Sequence, residues 1–258
     1  MNHFDPHLNQ WDTSITLVGL GGTGSILARH VARMVWDMRQ RRLQLPKAIT
    51  FVDPDVVELK NVGRQMFTVA DVGQHKAEVL ARRFNAALGL NIQWRNEAFD
   101  GNPNDGIILG AVDNHEARQV IAGCSRAIWI DAGNAYDHGQ VIIGNAHTTS
   151  LVKYHPDKEE EWRYLPFPSL VFPQLVEPEP TAPQRDVSCS DLIQMGEQHL
   201  LINDLMGTIA AQYLYKLLYR QPIESFITFV DSGSLSMRSI PINKENVRAY
   251  IQTEAIPA

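Results

Sequence analysis

The run Gly19-Leu20-Gly21-Gly22-Thr23-Gly24 constrains this chain more than any other feature. It follows the apolar, β-branched stretch Ser14 to Val18 and precedes apolar residues at helical spacing from Ser25 to Arg42. Strand, glycine turn and helix in that order let backbone N–H groups at a helix N-terminus meet a phosphate with no Cβ in the way. The turn is not a Walker-type loop, because Gly24 is followed by Ser25 and Ile26 rather than by Lys and Ser or Thr. Taken alone, a GxGxxG turn reads as a dinucleotide site on an open α/β sheet.

The following residues repeat the alternation. Ala48 to Val52 reads as a second strand ending at Asp53, Gln74 to Leu88 as an amphipathic helix, and Asn91 to Trp94 as a third strand. Gly106 to Val112 is an almost continuous apolar run leading into a helix start at Asp113 and Asn114, and Ala127 to Ile130 is another, ending at Asp131. Such runs, buried on both faces, suit a mostly parallel sheet covered by helices, a Rossmann-like doubly wound α/β fold. Gln140 to Asn145 reads as a further strand, Asp191 to Tyr219 as one long or two short helices, and Phe226 to Val230 and Met237 to Ile240 as a C-terminal addition to the sheet.

The 258 residues suit a single domain, 1–258, since α/β folds often exceed about 150 residues per domain. Residues 150–188 read as a Pro-rich crossover loop within it: seven of the fourteen prolines lie between Pro156 and Pro183, beside Glu159-Glu160-Glu161. Such a stretch serves either as a solvated linker or as a partner-binding or active-site lid.

Composition removes several classes of function. With 23 Lys+Arg against 29 Asp+Glu the net charge is -6, and the densest basic cluster is Arg39-Gln40-Arg41-Arg42, so nucleic acid is not the expected ligand. The N-terminal residues lack a signal-peptide pattern, and no apolar run approaches the roughly 18 residues of a membrane span, so neither export nor membrane insertion is expected. Two cysteines, Cys124 and Cys189, cannot build a four-cysteine zinc site, and the nine histidines show no HExxH spacing, so zinc is not expected and a reducing cytoplasmic setting is. Cys124 and the five tryptophans read as packing residues.

Asp53, at the end of the second strand, can hydrogen-bond a ribose diol of either NAD or ATP. The segment Asp53-Pro54-Asp55-Val56-Val57-Glu58-Leu59-Lys60-Asn61-Val62-Gly63-Arg64-Gln65 is richer in functional side chains than a dehydrogenase needs there. Arg64 and Lys76 can both reach phosphates, and a triphosphate needs fixed cations and usually Mg²⁺. Asp113, at the C-terminal end of its strand, is a candidate Mg²⁺ carboxylate and a candidate helix N-cap.

These motifs together resemble the ThiF/MoeB/HesA superfamily of adenylating enzymes. The resemblance rests on the glycine loop, the Asp-x-Asp-x-Val-Glu-x-x-Asn-x-x-Arg-Gln stretch from Asp53 to Gln65, Lys76 in Gln74-His75-Lys76-Ala77, and Asp113-Asn114 with Arg118, in order from about Ile15 to Val141. It implies that Gly19, Gly21, Gly22 and Gly24 cradle ATP, that Asp53 holds the ribose, that Asn61, Arg64 and Lys76 contact phosphates, and that Asp113 binds Mg²⁺. Asp55, Gln65 and Asn114 belong to the same implied nucleotide site. The C-terminal half resembles a narrower branch, the ThiF-family proteins of bacterial PRTRC systems, through Val187-Ser188-Cys189-Ser190 and Glu197-Gln198-His199-Leu200-Leu201-Ile202-Asn203.

The implied activity is adenylation of the C-terminal carboxylate of a small ubiquitin-like or sulfur-carrier protein ending in glycine. A homodimer and a conjugating enzyme as further partner are implied as well. Cys189, before a helix that Ser188 and Asp191 can cap, is the candidate thiolate for a subsequent thioester. Two departures stand out: the paired CxxC zinc ligands of many relatives are missing, and no arginine occurs in residues 1–28, where relatives place one that acts across the dimer. The competing readings are a non-catalytic nucleotide-binding scaffold for a ubiquitin-like partner and an NAD-dependent oxidoreductase.

Overall fold

The structure is a computed structural model and describes residues 2–6, 13–101, 106–153, 160–178 and 201–251. After the two-residue strand β1 (His3–Phe4), β2 (Ser14–Val18) turns through the glycines into α1 (Gly22–Gln40). The alternation continues with β3 (Ala48–Val52), α2 (Lys76–Leu88), β4 (Gln93–Arg95), β5 (Gly106–Gly110), α3 (His115–Ala122) and β6 (Ile128–Asn134). Beyond these come β7 (His138–Gly144), α4 (Thr149–Lys153), β8 (Glu161–Trp162), α5 (Pro168–Val171), α6 (Ile202–Leu218), β9 (Ser225–Asp231), β10 (Ser236–Pro241) and α7 (Lys244–Ile251).

Eight strands form one sheet in the order β10-β9-β7-β6-β5-β2-β3-β4. Pairing is parallel from β4 through β6 and antiparallel from β6 through β10. The mostly parallel, doubly wound architecture expected from the apolar runs is present, and the C-terminal strands extend the same sheet. The chain passes from β2 outward to β3 and β4, then returns to place β5 on the other side of β2, so the winding reverses between β2 and β5. In sheets of this kind ligands bind at that reversal, outside the carboxyl ends of the strands.

Register decides what arrives there. Val18 pairs with both Val52 and Gly110, so β2, β3 and β5 end level and release Gly19, Asp53 and Ala111 at one edge. Gly110 also pairs with Asp131, so β6 continues for three residues, to Asn134, beyond that level. The apolar run predicted β6 only to Ile130. Its extension comes from the antiparallel hairpin with β7, which lengthens the ladder without needing further aliphatic residues.

Helix α1 begins at Gly22, three residues earlier than the apolar spacing suggests, with Ser25 N–H donating to Gly21 carbonyl at 3.0 Å. The second half of the glycine run is therefore the first helical turn, whose N–H groups have no intrahelical partner. Gly24 lies so close to Gly19 that a Cβ would stand 1.9 Å from its carbonyl oxygen, and Gly19 itself holds φ +86°. Both positions require glycine for steric reasons.

α1 and α6 pack side by side on one face, and β6 and β7 lie beneath α6. Ile15, Leu17, Leu27, Phe51, Leu109, Met206 and Leu214 are essentially inaccessible in the core. The described part of the Pro-rich segment is folded onto the sheet rather than solvated. Trp162 joins β8 to β1, Leu165 and Phe167 are fully buried, and the Phe167 ring meets Trp129 edge-on at 5.8 Å. Cys124 follows α3 by two residues and is half-buried, its Sγ 3.5 Å from the Val120 carbonyl. Among the described residues no helix is long and apolar enough to cross a membrane.

Candidate functional site

A cavity of about 540 Å³ opens at the winding reversal. Its lining includes Gly19, Gly21, Gly22 and Thr23 of the glycine turn, Asp53, Pro54 and Asp55 after β3, and Asp113, Asn114 and Arg118 between β5 and α3 and within α3. Its volume is that of a small-molecule or cofactor site.

Asp53 is 4% exposed and staples the turn: one carboxylate oxygen accepts from Leu20 N–H and the other from Asp55 N–H, the latter at 2.8 Å. Burial pushes its carboxyl above the ordinary value, and nearby Lys76 and the two backbone donors oppose that rise. Each oxygen has a second lone pair, so the group can still accept from a ligand hydroxyl.

Lys76 is the first residue of α2, where the helix dipole disfavours a cation, and it is buried. Its Nζ lies 2.7 Å from Asp55 Oδ2 at the cavity wall. Lys60, which the sequence reading left without a role, also lines the cavity and sits 3.4 Å from Glu58.

Asn61 is 2% exposed and closes a short 3-10 turn, Leu59–Asn61, its side-chain oxygen accepting from Glu58 N–H at 2.8 Å. Gln65 lines the cavity as well, whereas Arg64 and Gly24 are not among its lining residues. Gly24 serves the helix–strand approach instead, and Arg64 stands half-buried just past the 3-10 turn.

Asp113 and Asn114 are exposed at the cavity mouth. Asn114, not Asp113, is the N-cap of α3: its side-chain oxygen accepts from Ala117 N–H at 2.8 Å. Among the described residues no three His, Cys, Asp or Glu side chains converge as a ready-made metal cage. Cys189, Ser188 and Asp191 lie outside the described residues.

Two features of the cavity were not anticipated. Arg118 is buried and pairs with Asp131, Nε to Oδ1 at 3.3 Å, with Asp131 fully buried beneath the cavity. Burial raises the Asp131 carboxyl above its ordinary value and the Arg118 guanidinium opposes that. The second is a cluster of Thr23, Asn134 and Asn203, all lining the cavity, in which Thr23 O–H and Asn134 Nδ2 both donate to Asn203 Oδ1, at 3.0 and 3.2 Å. Asn134 closes β6 and Asn203 opens α6; Asn203 ends the Glu197–Asn203 stretch of the narrower resemblance, which implied no site role for it.

The chain resembles known proteins in sequence and in fold. Ubiquitin-like modifier-activating enzyme 5 of Drosophila ananassae is 32% identical over a region covering 47% of this chain and 34% of the relative. The same enzyme of Oryza sativa is 26% identical, covering 51% and 35%. The chain thus spans about a third of the length of these curated relatives. Among solved structures, PaaA superposes with a TM-score of 0.58 at 15% identity, covering 90% of this chain and 65% of its own. Escherichia coli MccB with ATP gives 0.56 at 16% identity, covering 91% and 65%, a likeness of fold. The sequence model of the ThiF family matches residues 8–249, nearly the whole of what folds around the glycine loop, and this chain therefore belongs to the ThiF family.

Proposed function

We propose that this protein adenylates the C-terminal carboxylate of a small ubiquitin-like or sulfur-carrier protein at the expense of ATP. The observation that carries the reading is the convergence on one cavity of the glycine turn, Asp53, Asn61, Gln65, Lys76 and Asp113, which are spread over almost a hundred positions of sequence. Family membership and the activating enzymes among its relatives support the same reading.

In this reading the first turn of α1 and the glycine N–H groups take up phosphate oxygens, Asp53 accepts from the ribose, and the apolar side around Phe99, Val112 and Val120 covers the base. Asp113, aided by another oxygen donor at the cavity, suits Mg²⁺, which is held by one or two carboxylates together with substrate phosphates. When bound, the ion neutralises charge on the polyphosphate. The carrier's carboxylate oxygen attacks the α-phosphorus, the bond to the bridging oxygen breaks, and pyrophosphate leaves with the electron pair. Lys76 stabilises the charge on the transferring phosphate once it exchanges Asp55 for that partner. Arg64 joins only if its loop turns towards the phosphates. The acyl group then passes to Cys189 as a thioester with release of AMP. The active form is a homodimer.

ATP–pyrophosphate exchange with Mg²⁺, with and without small proteins ending in glycine, tests the reading. Exchange that depends on one such protein supports it. Cys189→Ala should keep exchange and lose any reductant-sensitive adduct. A second reading, a nucleotide-binding scaffold without turnover, draws on the engagement of Lys76 by Asp55 and on the position of Arg64 away from the lining. ATP binding with no exchange for any candidate carrier would favour it.

A further inference from the structure

The side chains of the Thr23–Asn134–Asn203 cluster are not used by the nucleotide chemistry above, yet they line the same cavity beside the glycine turn. Its three members come from the first turn of α1, the end of β6 and the first turn of α6, so two long helices direct their N-termini to one place. That arrangement favours negative charge.

Asn203 is the member with unspent capacity. It is 4% exposed, and its side chain fills the volume that a Cβ on Gly22 would take, at 2.5 Å. Its Oδ1 accepts from both Thr23 O–H and Asn134 Nδ2, so the amide cannot be turned over without setting two N–H₂ groups against each other. In this orientation Nδ2 points away from both donors, and no hydrogen bond from it to a described residue is present. Asn203 lines the cavity, so this donor is open to an acceptor on a ligand.

The geometry points to Asn203 as the residue that binds and orients the carboxylate of the incoming carrier, its Nδ2 donating to one oxygen while the other is left to attack the α-phosphorus. This rests on the adenylation reading. The carboxylate is favoured over a nucleotide phosphate because Lys76, Lys60, the Asp113 site and the backbone N–H groups of the glycine turn already provide for the polyphosphate, while the side chains of this cluster offer a single neutral donor. A neutral donor fits a group that must stay nucleophilic: it fixes one oxygen without the strong charge neutralisation a lysine would impose.

Asn203→Asp is the informative variant, since its carboxylate still accepts from Thr23 and Asn134 and only the outward donor is replaced by an acceptor. The probe is a short peptide ending in Gly-Gly, with a free carboxylate or an amidated terminus, titrated by NMR into the full chain saturated with a non-hydrolysable ATP analogue. The wild type should bind the free carboxylate at least about tenfold more tightly than the amide, the scale of one charge-assisted hydrogen bond. Asn203→Asp should erase that preference while affinity for the ATP analogue changes less than about twofold. Asn203→Ala should erase the preference too, and its melting temperature reports any cost to the fold separately.

Equal binding of the two peptides by the wild type, or an unchanged preference in Asn203→Asp, would overturn the assignment. A large loss of affinity for the ATP analogue in Asn203→Asp would also overturn it, making the residue a nucleotide contact. If the preference is present in the wild type but no carrier supports pyrophosphate exchange, the carboxylate site stands and the adenylation reading falls.

Discussion

Lys76 Nζ stands 2.7 Å from Asp55 Oδ2 in a pair buried at one end and open at the other, the lysine side chain 8% exposed and the aspartate 62%. The geometry stores a cation at the cavity wall with a partner that solvent can readily replace. A pair so exposed on one side contributes about 0–1 kcal/mol to stability. Lys76→Ala is therefore expected to leave urea unfolding within about 1 kcal/mol of wild type. It should lower pyrophosphate exchange by about tenfold to a hundredfold, the scale of one charged hydrogen bond to phosphate. A loss of stability without loss of ATP affinity would sink the phosphate role.

The division of labour between Asp113 and Asn114 is equally testable. Asn114 caps α3, so Asn114→Ala should cost about 1 kcal/mol in chemical denaturation. Asp113→Ala should abolish Mg²⁺-dependent exchange. Unchanged turnover in a well-folded Asp113→Ala protein would reject the metal role.

Arg118 and Asp131 form a buried ion pair, and Asp131 Oδ2 has no hydrogen-bond partner among the described residues. Removing Arg118 leaves an uncompensated buried carboxylate, so Arg118→Ala should destabilise by about 3–5 kcal/mol at neutral pH. With its guanidinium gone, the Asp131 carboxyl rises further above its unfolded value. The folded variant then holds a proton that the unfolded chain has released, and its stability falls as pH rises between those two values. The deficit of Arg118→Ala should therefore shrink from pH 7 to pH 5, as read by urea midpoints; a constant deficit would place its cause in packing instead.

Tyr213 gives an alkaline signature. Its hydroxyl is 2.8 Å from Thr228 Oγ1 on β9, and burial pushes its pKa up to about 12 from the ordinary 10. A raised tyrosine contributes its full stability below about pH 10, and loses it as pH climbs towards 12, by about 1.4 kcal/mol per pH unit. Tyr213→Phe should be less stable than wild type by about 1 kcal/mol at pH 8, and the gap should close above pH 10. Denaturation curves at pH 8 and pH 11 measure both.

Much of the molecule could be read without coordinates because its signals are local. A strand buried on both faces must be apolar throughout, so β2, β3, β5 and most of β6 appear as runs, and α2 appears through its 3.6-residue spacing. The glycine turn shows itself for the same reason: Gly19 and Gly24 answer to steric limits among residues within a few positions of one another. Asp53 and Lys76 stand at the ends of such elements and were found with them. The start of α1 was misplaced because a helix can begin on glycines when its open N–H groups face a cavity, and apolar periodicity is blind to that. The fold of the Pro-rich stretch was hidden because Leu165 and Phe167 are anchored by residues far away rather than by any regular spacing.

The sequence by itself determined the type and order of the elements and the chemical character of the turn at the head of α1. Tertiary structure decided which side chains share a site. The common register of Val18, Val52 and Gly110 set the glycines, Asp53 and Asp113 around one opening, and the packing of α6 on α1 brought Asn203 against Thr23 across 180 positions of chain. The fold also leaves Arg64 off the lining and makes Arg118 of α3 the partner of Asp131 on β6. Periodicity records only that a face is buried. Which distant residue meets it depends on sheet register and helix contacts, whose energies are spread over many side chains and leave no pattern in any one segment.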